Sequence, residues 1–121
     1  MRVLIADRNP STCSALAMLL QMDDRIRVVA AVSDVEQVLS HLQAGCCDLL
    51  LLDWDGMGSK IGAIRDVLNT LPDPPLIIGM SVRSENRQTV LSQGVTEFVY
   101  KGDPPECLKA VIRRAEQLLQ P

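Results

Sequence analysis

Short apolar runs alternate with segments of helical spacing along the whole chain. Five such runs occur, and each is followed by a stretch in which apolar residues recur every three or four positions. The third and fourth runs are apolar without alternation, which is typical of central strands covered on both faces. The pattern predicts an α/β fold with a doubly wound parallel sheet. We expect strands at Val3–Asp7, Arg27–Val32, Leu49–Asp53, Leu76–Ser81 and Glu97–Tyr100.

The intervening segments predict one helix after each strand. Gly45 and Gly94 lie where helices are expected to end. A chain of 121 residues has room for one domain, so we assign residues 1–121 to a single unit. The helices are predicted at Ser11–Met22, Asp34–Ala44, Lys60–Thr70, Glu85–Gln93 and Pro105–Gln120.

Charge and aromatic content argue against nucleic-acid binding by this chain. Twelve Lys and Arg stand against 15 Asp and Glu, for a net charge of −3, so this chain does not hold nucleic acid by neutralising phosphates. The aromatic content of 2% is too low for a platform that stacks bases. No apolar run approaches the roughly 20 residues of a membrane span. The four cysteines form no C-x-x-C pair, so we expect reduced thiols and a cytoplasmic protein.

Polar residues collect at the carboxyl ends of four predicted strands. The first strand ends in Asp7, the third in Asp53, the fourth in Ser81, and the fifth leads into Lys101. Ligands of open parallel sheets bind beyond these strand ends. Two carboxylates, a hydroxyl and an ammonium at one edge can bind a divalent cation, present a carboxylate nucleophile and neutralise a phosphoryl group.

These residues resemble the receiver domain of two-component response regulators over essentially the whole chain. Arg2–Asp7 is similar to the first strand of that family with its acidic end, and Leu50–Asp53 to the strand that carries the phosphoacceptor aspartate. Ser81 matches the switch Ser/Thr and Lys101 the family lysine. Phe98 falls at the switch aromatic position, three residues before that lysine.

The resemblance implies a flavodoxin-like (βα)5 fold with strand order 2-1-3-4-5 and a signalling function. Asp53 would be phosphorylated by a sensor histidine kinase, with Mg²⁺ held by Asp7, Asp53 and, in this chain, Asp55. Lys101 and Ser81 would bind the phosphoryl group, and Ser81 with Phe98 would form the switch pair. The only chemistry expected is self-phosphorylation and autodephosphorylation at Asp53, so the chain is not an enzyme in the ordinary sense.

The run Val99–Leu108 resembles the subclass whose receiver precedes a LuxR/NarL-type helix-turn-helix domain. On that resemblance, residues 1–121 are the N-terminal part of a longer transcriptional regulator, and DNA is bound by a domain outside this chain. The subclass also implies a possible homodimer through the late helices and strands.

Two residues depart from the family pattern at the expected site. Arg8 stands where the family normally has a second acidic residue. Two unit charges about 5 Å apart interact by roughly 3 kcal/mol at an effective dielectric near 20, so Arg8 should weaken Mg²⁺ binding unless it swings into solvent. Three alternatives stay open: Asp55 replaces the missing ligand, Arg8 forms a salt bridge with Asp53, or Arg8 is solvated beside an ordinary site. Val82, larger than the usual small residue after the switch position, should slow access of the phosphodonor.

Two other functions remain open from the sequence. The chain could be an atypical receiver, a phosphorylation-independent or weakly phosphorylated interaction and dimerisation module. It could also be a small phosphatase, because Asp53-Trp54-Asp55-Gly56 looks like the D-x-D-G motif of haloacid-dehalogenase-type enzymes. We also expect residues 54–59, with Gly56 and Gly58, to form a mobile loop.

Overall fold

Five parallel strands form one sheet in a computed structural model that describes residues 1–45 and 47–119. The strand order is β2-β1-β3-β4-β5, which confirms the predicted α/β fold and the predicted order. All four neighbouring pairs are parallel. The strands are β1 (Arg2–Ala6), β2 (Arg27–Val32), β3 (Leu49–Asp53), β4 (Leu76–Ser81) and β5 (Glu97–Tyr100).

The helices connect the strands and cover both faces of the sheet. They are α1 (Pro10–Gln21), α2 (Val35–Gln43), α3 (Trp54–Met57), α4 (Ile61–Leu68), α5 (Arg87–Ser92) and α6 (Pro105–Leu119). Short 3₁₀ turns precede α4 and α5, at Gly58–Lys60 and Ser84–Asn86. The predicted last residue of α6, Gln120, lies outside the described residues. Within the part of the chain described, no helix is long and apolar enough to cross a membrane.

Alternate side chains of each strand enter two separate apolar layers. Leu49 and Leu51 of β3 pack in one layer with residues of α1 and α6, while Leu50 and Leu52 pack in the other with residues of α2, α4 and α5. All four leucines are fully buried. Because both faces of β3 are covered, an apolar run without alternation is the sequence this strand requires.

Helix α1 begins one residue before its predicted start. We expected it to begin at Ser11, but it begins at Pro10, and the carboxamide of Asn9 accepts a hydrogen bond of 2.9 Å from the Ser11 amide. Proline is favoured at the first helical position because its missing N–H would have no partner there. Asp34 caps α2 in the same way, through a 2.9 Å bond from the Gln37 amide.

The expectation of a loop at residues 54–59 is wrong. Helical residues follow Asp53 directly, in α3 and the 3₁₀ turn after it. Both glycines permit this tight path by leaving space for neighbouring side chains. A Cβ on Gly56 would lie 2.6 Å from Asp53 Oδ2, and a Cβ on Gly58 would lie 2.6 Å from the Trp54 ring. The glycines therefore allow close packing against the end of β3.

Gly79 allows α5 to pack closely on β4. A Cβ added there would lie 2.5 Å from Val90 Cγ1, and Val90 is fully buried in α5. Since α5 is short and follows directly on the segment after Ser81, its contact with β4 fixes the position of that segment.

We expect Gly79→Ala to lower the free energy of unfolding by about 1–3 kcal/mol, because an added methyl group overpacks this contact. Urea unfolding measures the change. Gly62→Ala is the matched control: a Cβ there meets nothing within 4 Å, so the same substitution in α4 should be neutral or stabilising by up to about 1 kcal/mol. Wild-type stability in Gly79→Ala would contradict the close packing of α5 on β4.

Candidate functional site

The buried polar residues of the described chain all lie at the carboxyl edge of the sheet. They are Asp7, Asp53 and Ser81, each no more than 1% exposed, at the ends of β1, β3 and β4. The buried positions that precede them in these strands are apolar. Charged residues are rarely buried unless they are paired, so this edge is a built polar site within an otherwise apolar interior.

The Lys101 ammonium bridges the two buried carboxylates. Its Nζ donates hydrogen bonds to Asp7 Oδ2 at 2.8 Å and to Asp53 Oδ1 at 3.0 Å. Burial alone would lower the pKa of Lys101, but the hydrogen bonds and charges of the two carboxylates outweigh burial and raise that pKa above its ordinary 10.5. Lys101 therefore carries its positive charge at neutral pH beside Asp53.

Backbone amides satisfy the remaining oxygens of the two carboxylates. Asp7 Oδ1 accepts a 2.9 Å hydrogen bond from the Asn9 amide, and Asp53 Oδ2 accepts a 3.3 Å bond from the Arg8 amide. None of the buried side-chain polar atoms in the described residues lacks a partner. The loop after β1 thus holds both carboxylates in fixed orientations.

Arg8 lies against Asp53. Its Nε is 3.8 Å from Asp53 Oδ2, although the Arg8 side chain is 64% exposed. Of the three alternatives left open by the sequence, this contact corresponds to the salt bridge. Exposure and distance make the pair weak, since salt bridges open to solvent contribute about 0–1 kcal/mol.

The Asp55 carboxylate binds the end of β4. Asp55 Oδ1 accepts a 2.7 Å hydrogen bond from the Ser81 hydroxyl, and Asp55 Oδ2 accepts a 2.8 Å bond from the Val82 amide. Both carboxylate oxygens are therefore engaged by two consecutive residues of one strand end. The structure brings Asp55 to Ser81, whereas we expected it beside Asp7 and Asp53.

Two further residues contact Ser81, and sequence reasoning missed both. The Arg83 amide and Asn86 Nδ2 donate to Ser81 Oγ at 3.0 and 3.1 Å. The 3₁₀ turn Ser84–Asn86 carries Asn86 back to the strand end. A hydroxyl has one hydrogen and two lone pairs, so Ser81 uses its full hydrogen-bonding capacity.

The ring of Phe98 is buried in β5 and contacts the guanidinium of Arg87. Its side chain is 3% exposed, and the Arg87 guanidinium carbon lies 5.0 Å from the ring centroid. This is cation–π distance, and Arg87 begins α5, the helix that follows Ser81. The two residues assigned to the switch pair, Ser81 and Phe98, are thus both in contact with side chains of the 86–87 segment.

Asp7 and Asp53 have the donor chemistry that suits Mg²⁺. Magnesium prefers oxygen ligands and is usually held by one or two carboxylates together with waters. The third expected ligand, Asp55, faces Ser81 and Val82 instead. Residues 1–45 and 47–119 contain no group of three or more His, Cys, Asp or Glu arranged to hold a metal ion. Mg²⁺ binding at Asp7 and Asp53 stays a prediction.

The position of Asp55 weakens the phosphatase interpretation of the D-x-D-G motif. In that chemistry the first carboxylate attacks phosphorus, and the second carboxyl group must be free to protonate the group that leaves. Both oxygens of Asp55 instead accept hydrogen bonds, from the Ser81 hydroxyl and from the Val82 amide that follows β4.

Comparisons with known proteins identify the family that the chain matches. The family model described as "Response regulator receiver domain" matches residues 3–113. An uncharacterized 14.6 kDa protein in the sodA1 3′ region of Leptolyngbya boryana is 27% identical over 117 residues, covering 92% of this chain and 87% of that protein.

Solved structures share the fold at low identity. The isolated REC domain of RcsB from Salmonella enterica serovar Typhimurium, in the presence of phosphomimetic BeF₃⁻, matches at a TM-score of 0.82 and 21% identity, covering 97% of this chain and 88% of that one. A structure of the P1 domain of CheA3 in complex with CheY6 from R. sphaeroides matches at 0.76 and 22%, covering 96% of each chain.

We expect Arg8→Asp to lower the Kd for Mg²⁺ by at least about tenfold, or ~1.4 kcal/mol, because it replaces a repelling cation with a possible ligand. Titration followed by the fluorescence of Trp54, the single tryptophan of the chain, measures the affinity. Arg27→Asp makes the same charge change at the amino end of β2, at the opposite edge of the sheet, and should leave the Kd unchanged. Equal Mg²⁺ affinity in wild type and Arg8→Asp would show that Arg8 does not act on this site.

Proposed function

The chain belongs to the response regulator receiver domain family, and on that basis we propose that it is a phosphoacceptor domain whose Asp53 receives a phosphoryl group from a histidine kinase. The observation that carries this proposal is the Lys101 ammonium held between the two buried carboxylates of Asp7 and Asp53. A carboxylate nucleophile next to a fixed cation suits transfer of a phosphoryl group, whose charge the cation can neutralise.

In the proposed reaction, one oxygen of Asp53 attacks the phosphorus of a phosphohistidine. The new O–P bond forms as the N–P bond breaks, and the electron pair returns to the imidazole, which takes up a proton from solvent. Lys101 lies within hydrogen-bond distance of Asp53 Oδ1 and can follow the charge onto the phosphoryl oxygens. Mg²⁺, held by Asp7 and Asp53, would add positive charge to the phosphoryl oxygens.

Ser81 and Phe98 are proposed to carry the signal away from Asp53. Ser81 is the residue after Met80, which pairs with Asp53 in the sheet register. A phosphoryl group on Asp53 would attract the Ser81 hydroxyl and so act on the 83–87 segment, through Asn86 and the ring contact of Arg87. Such a local change biases a two-state arrangement of α5 and β5.

The proposed output is transcription, through a DNA-binding domain outside this chain. It is supported by the resemblance of Val99–Leu108 to the helix-turn-helix subclass and by the fold shared with RcsB from Salmonella enterica serovar Typhimurium, one structure of which is bound to promoter rprA. The kinase partner is supported by the fold shared with CheY6, whose structure contains the P1 domain of CheA3. A homodimer through the late elements stays a prediction. Arg114 and Glu97, two charged residues of these late elements, form an ion pair within the chain at 3.1 Å.

A second candidate is an atypical receiver that acts without phosphorylation. The observation that favours it is the pair of internal contacts at the site, with Arg8 on Asp53 and Asp55 on Ser81 and Val82. These contacts supply a cation to the acceptor and an anion to the switch residue from the chain itself.

Incubation with acetyl phosphate and Mg²⁺, followed by intact mass, separates the two candidates. We expect one phosphoryl group per chain, because Asp53 stands at the position that resembles the family's phosphoacceptor and contacts the Lys101 cation. Asp53→Asn is the control and should gain no phosphoryl group. The absence of an adduct in wild type at every Mg²⁺ concentration would contradict phosphorylation and leave the phosphorylation-independent candidate.

A further inference from the structure

We propose that the Asp55 carboxylate is an internal anion that occupies the donors of Ser81 and Val82, so that a phosphoryl group on Asp53 can engage them only by displacing Asp55. This inference rests on the proposed function, because it assigns a regulator to the same site. It gives Asp55 a role other than that of a metal ligand.

The first argument is that both carboxylate oxygens of Asp55 are hydrogen-bonded. Asp55 accepts from the Ser81 hydroxyl at 2.7 Å with one oxygen and from the Val82 amide at 2.8 Å with the other. Hydrogen bonds to a charged acceptor are stronger than neutral ones, and a two-point contact also fixes geometry. A phosphoryl group presents charged oxygens of the same kind to hydrogen-bond donors.

The second argument is that Ser81 has no free capacity. Its two lone pairs accept from the Arg83 amide and from Asn86 Nδ2, at 3.0 and 3.1 Å, and its single hydrogen is donated to Asp55. Arg83 and Asn86 hold the hydroxyl oxygen in place, so the hydrogen can reach a second anion only when Asp55 leaves.

The third argument concerns the path that brings Asp55 there. Helical residues begin directly after Asp53, which turns the chain sharply toward β4. Gly56 makes this turn possible, because a Cβ would lie 2.6 Å from both Asp53 Oδ2 and Arg8 Cδ. The same turn therefore places Gly56 against Asp53 and the Asp55 carboxylate against Ser81.

The consequence is competition between two anions for one pair of donors. Before phosphorylation, Asp55 fixes Ser81 and thereby the 83–87 segment that contacts Phe98. When acetyl phosphate is the donor, an O–P bond forms at Asp53, the P–O bond to acetate breaks, and acetate leaves with the electron pair. The new dianionic group then competes with Asp55 for the Ser81 hydroxyl and the Val82 amide.

Hydrogen exchange at the Val82 amide tests the contact without any phosphodonor. Val82 is 59% exposed, so its amide would exchange freely without a partner. We expect exchange in wild type to be slower by at least ~10-fold than in Asp55→Ala, as a hydrogen bond to a charged acceptor implies. Asp66→Asn, which removes an exposed carboxylate of α4, should exchange like wild type. Equal Val82 exchange in wild type and Asp55→Ala would overturn the proposal.

The rate of phosphorylation by acetyl phosphate tests the competition. We expect Asp55→Ala to react faster than wild type by about 10-fold, with Asp66→Asn unchanged. Asp55→Asn removes the charge but keeps an acceptor for the Ser81 hydroxyl, so its rate should be intermediate. Equal acceleration in Asp55→Asn and Asp55→Ala would assign the effect to charge alone and overturn the competition, as would an unchanged rate in Asp55→Ala.

The two proposals fail in different ways. If no protein in the series gains a phosphoryl group, Asp53 is not an acceptor and the proposed function fails, while Val82 exchange still decides whether Asp55 holds the strand end. If Asp55→Ala and Asp55→Asn are phosphorylated and wild type is not, the Asp55 proposal is supported, and the wild-type chain is the phosphorylation-independent candidate. Unchanged amide spectra of the β-strands in each variant establish that the fold is intact.

Discussion

The site depends on one ammonium group placed between two buried carboxylates. Asp7 and Asp53 are each 1% exposed, and two like charges could not stay buried side by side without a counter-charge. Lys101 Nζ contacts both. Lys101 directly follows β5, which is separated from β3 by β4, a distance of about 10 Å between strand axes, so only a long side chain can span the end of β4. Removal of one partner from such a buried set costs about 3–5 kcal/mol.

Charged side chains of the chain itself occupy the groups of this receiver site. Arg8 supplies a second cation to Asp53, and Asp55 supplies an anion to Ser81 and Val82. Each contact stands where an external group would act in the proposed function: a metal ion at the acceptor and a phosphoryl group at the switch residue. On the proposed function, Mg²⁺ and the phosphoryl group would therefore have to displace these contacts of Arg8 and Asp55 as well as form new ones. The exposed Arg8 contact should yield more readily than the two-point contact of Asp55.

The sequence predicted the strands and the strand-end residues well because both follow from local patterns. Leu49–Asp53 is an apolar run that ends in a carboxylate, and such a run requires a covered strand whose polar end reaches the sheet edge. The resemblance to receivers supplied the strand order, which the structure confirms, and the role proposed for Lys101, which stays a prediction. The direction of the Asp55 side chain could not be predicted, because it depends on the turn allowed by Gly56 against Asp53 and Arg8. Asn86 was missed for a similar reason, since only the 3₁₀ turn returns it to Ser81.

The most direct test is a crystal structure of the chain with Mg²⁺ and the phosphomimetic BeF₃⁻. The account predicts the beryllofluoride on Asp53, Lys101 Nζ in contact with a fluorine, and the Asp55 carboxylate beyond hydrogen-bond distance of both Ser81 Oγ and the Val82 amide. Beryllofluoride bound to Asp53 with Asp55 still accepting from Ser81 and Val82 would contradict it, because one hydroxyl hydrogen cannot serve both anions.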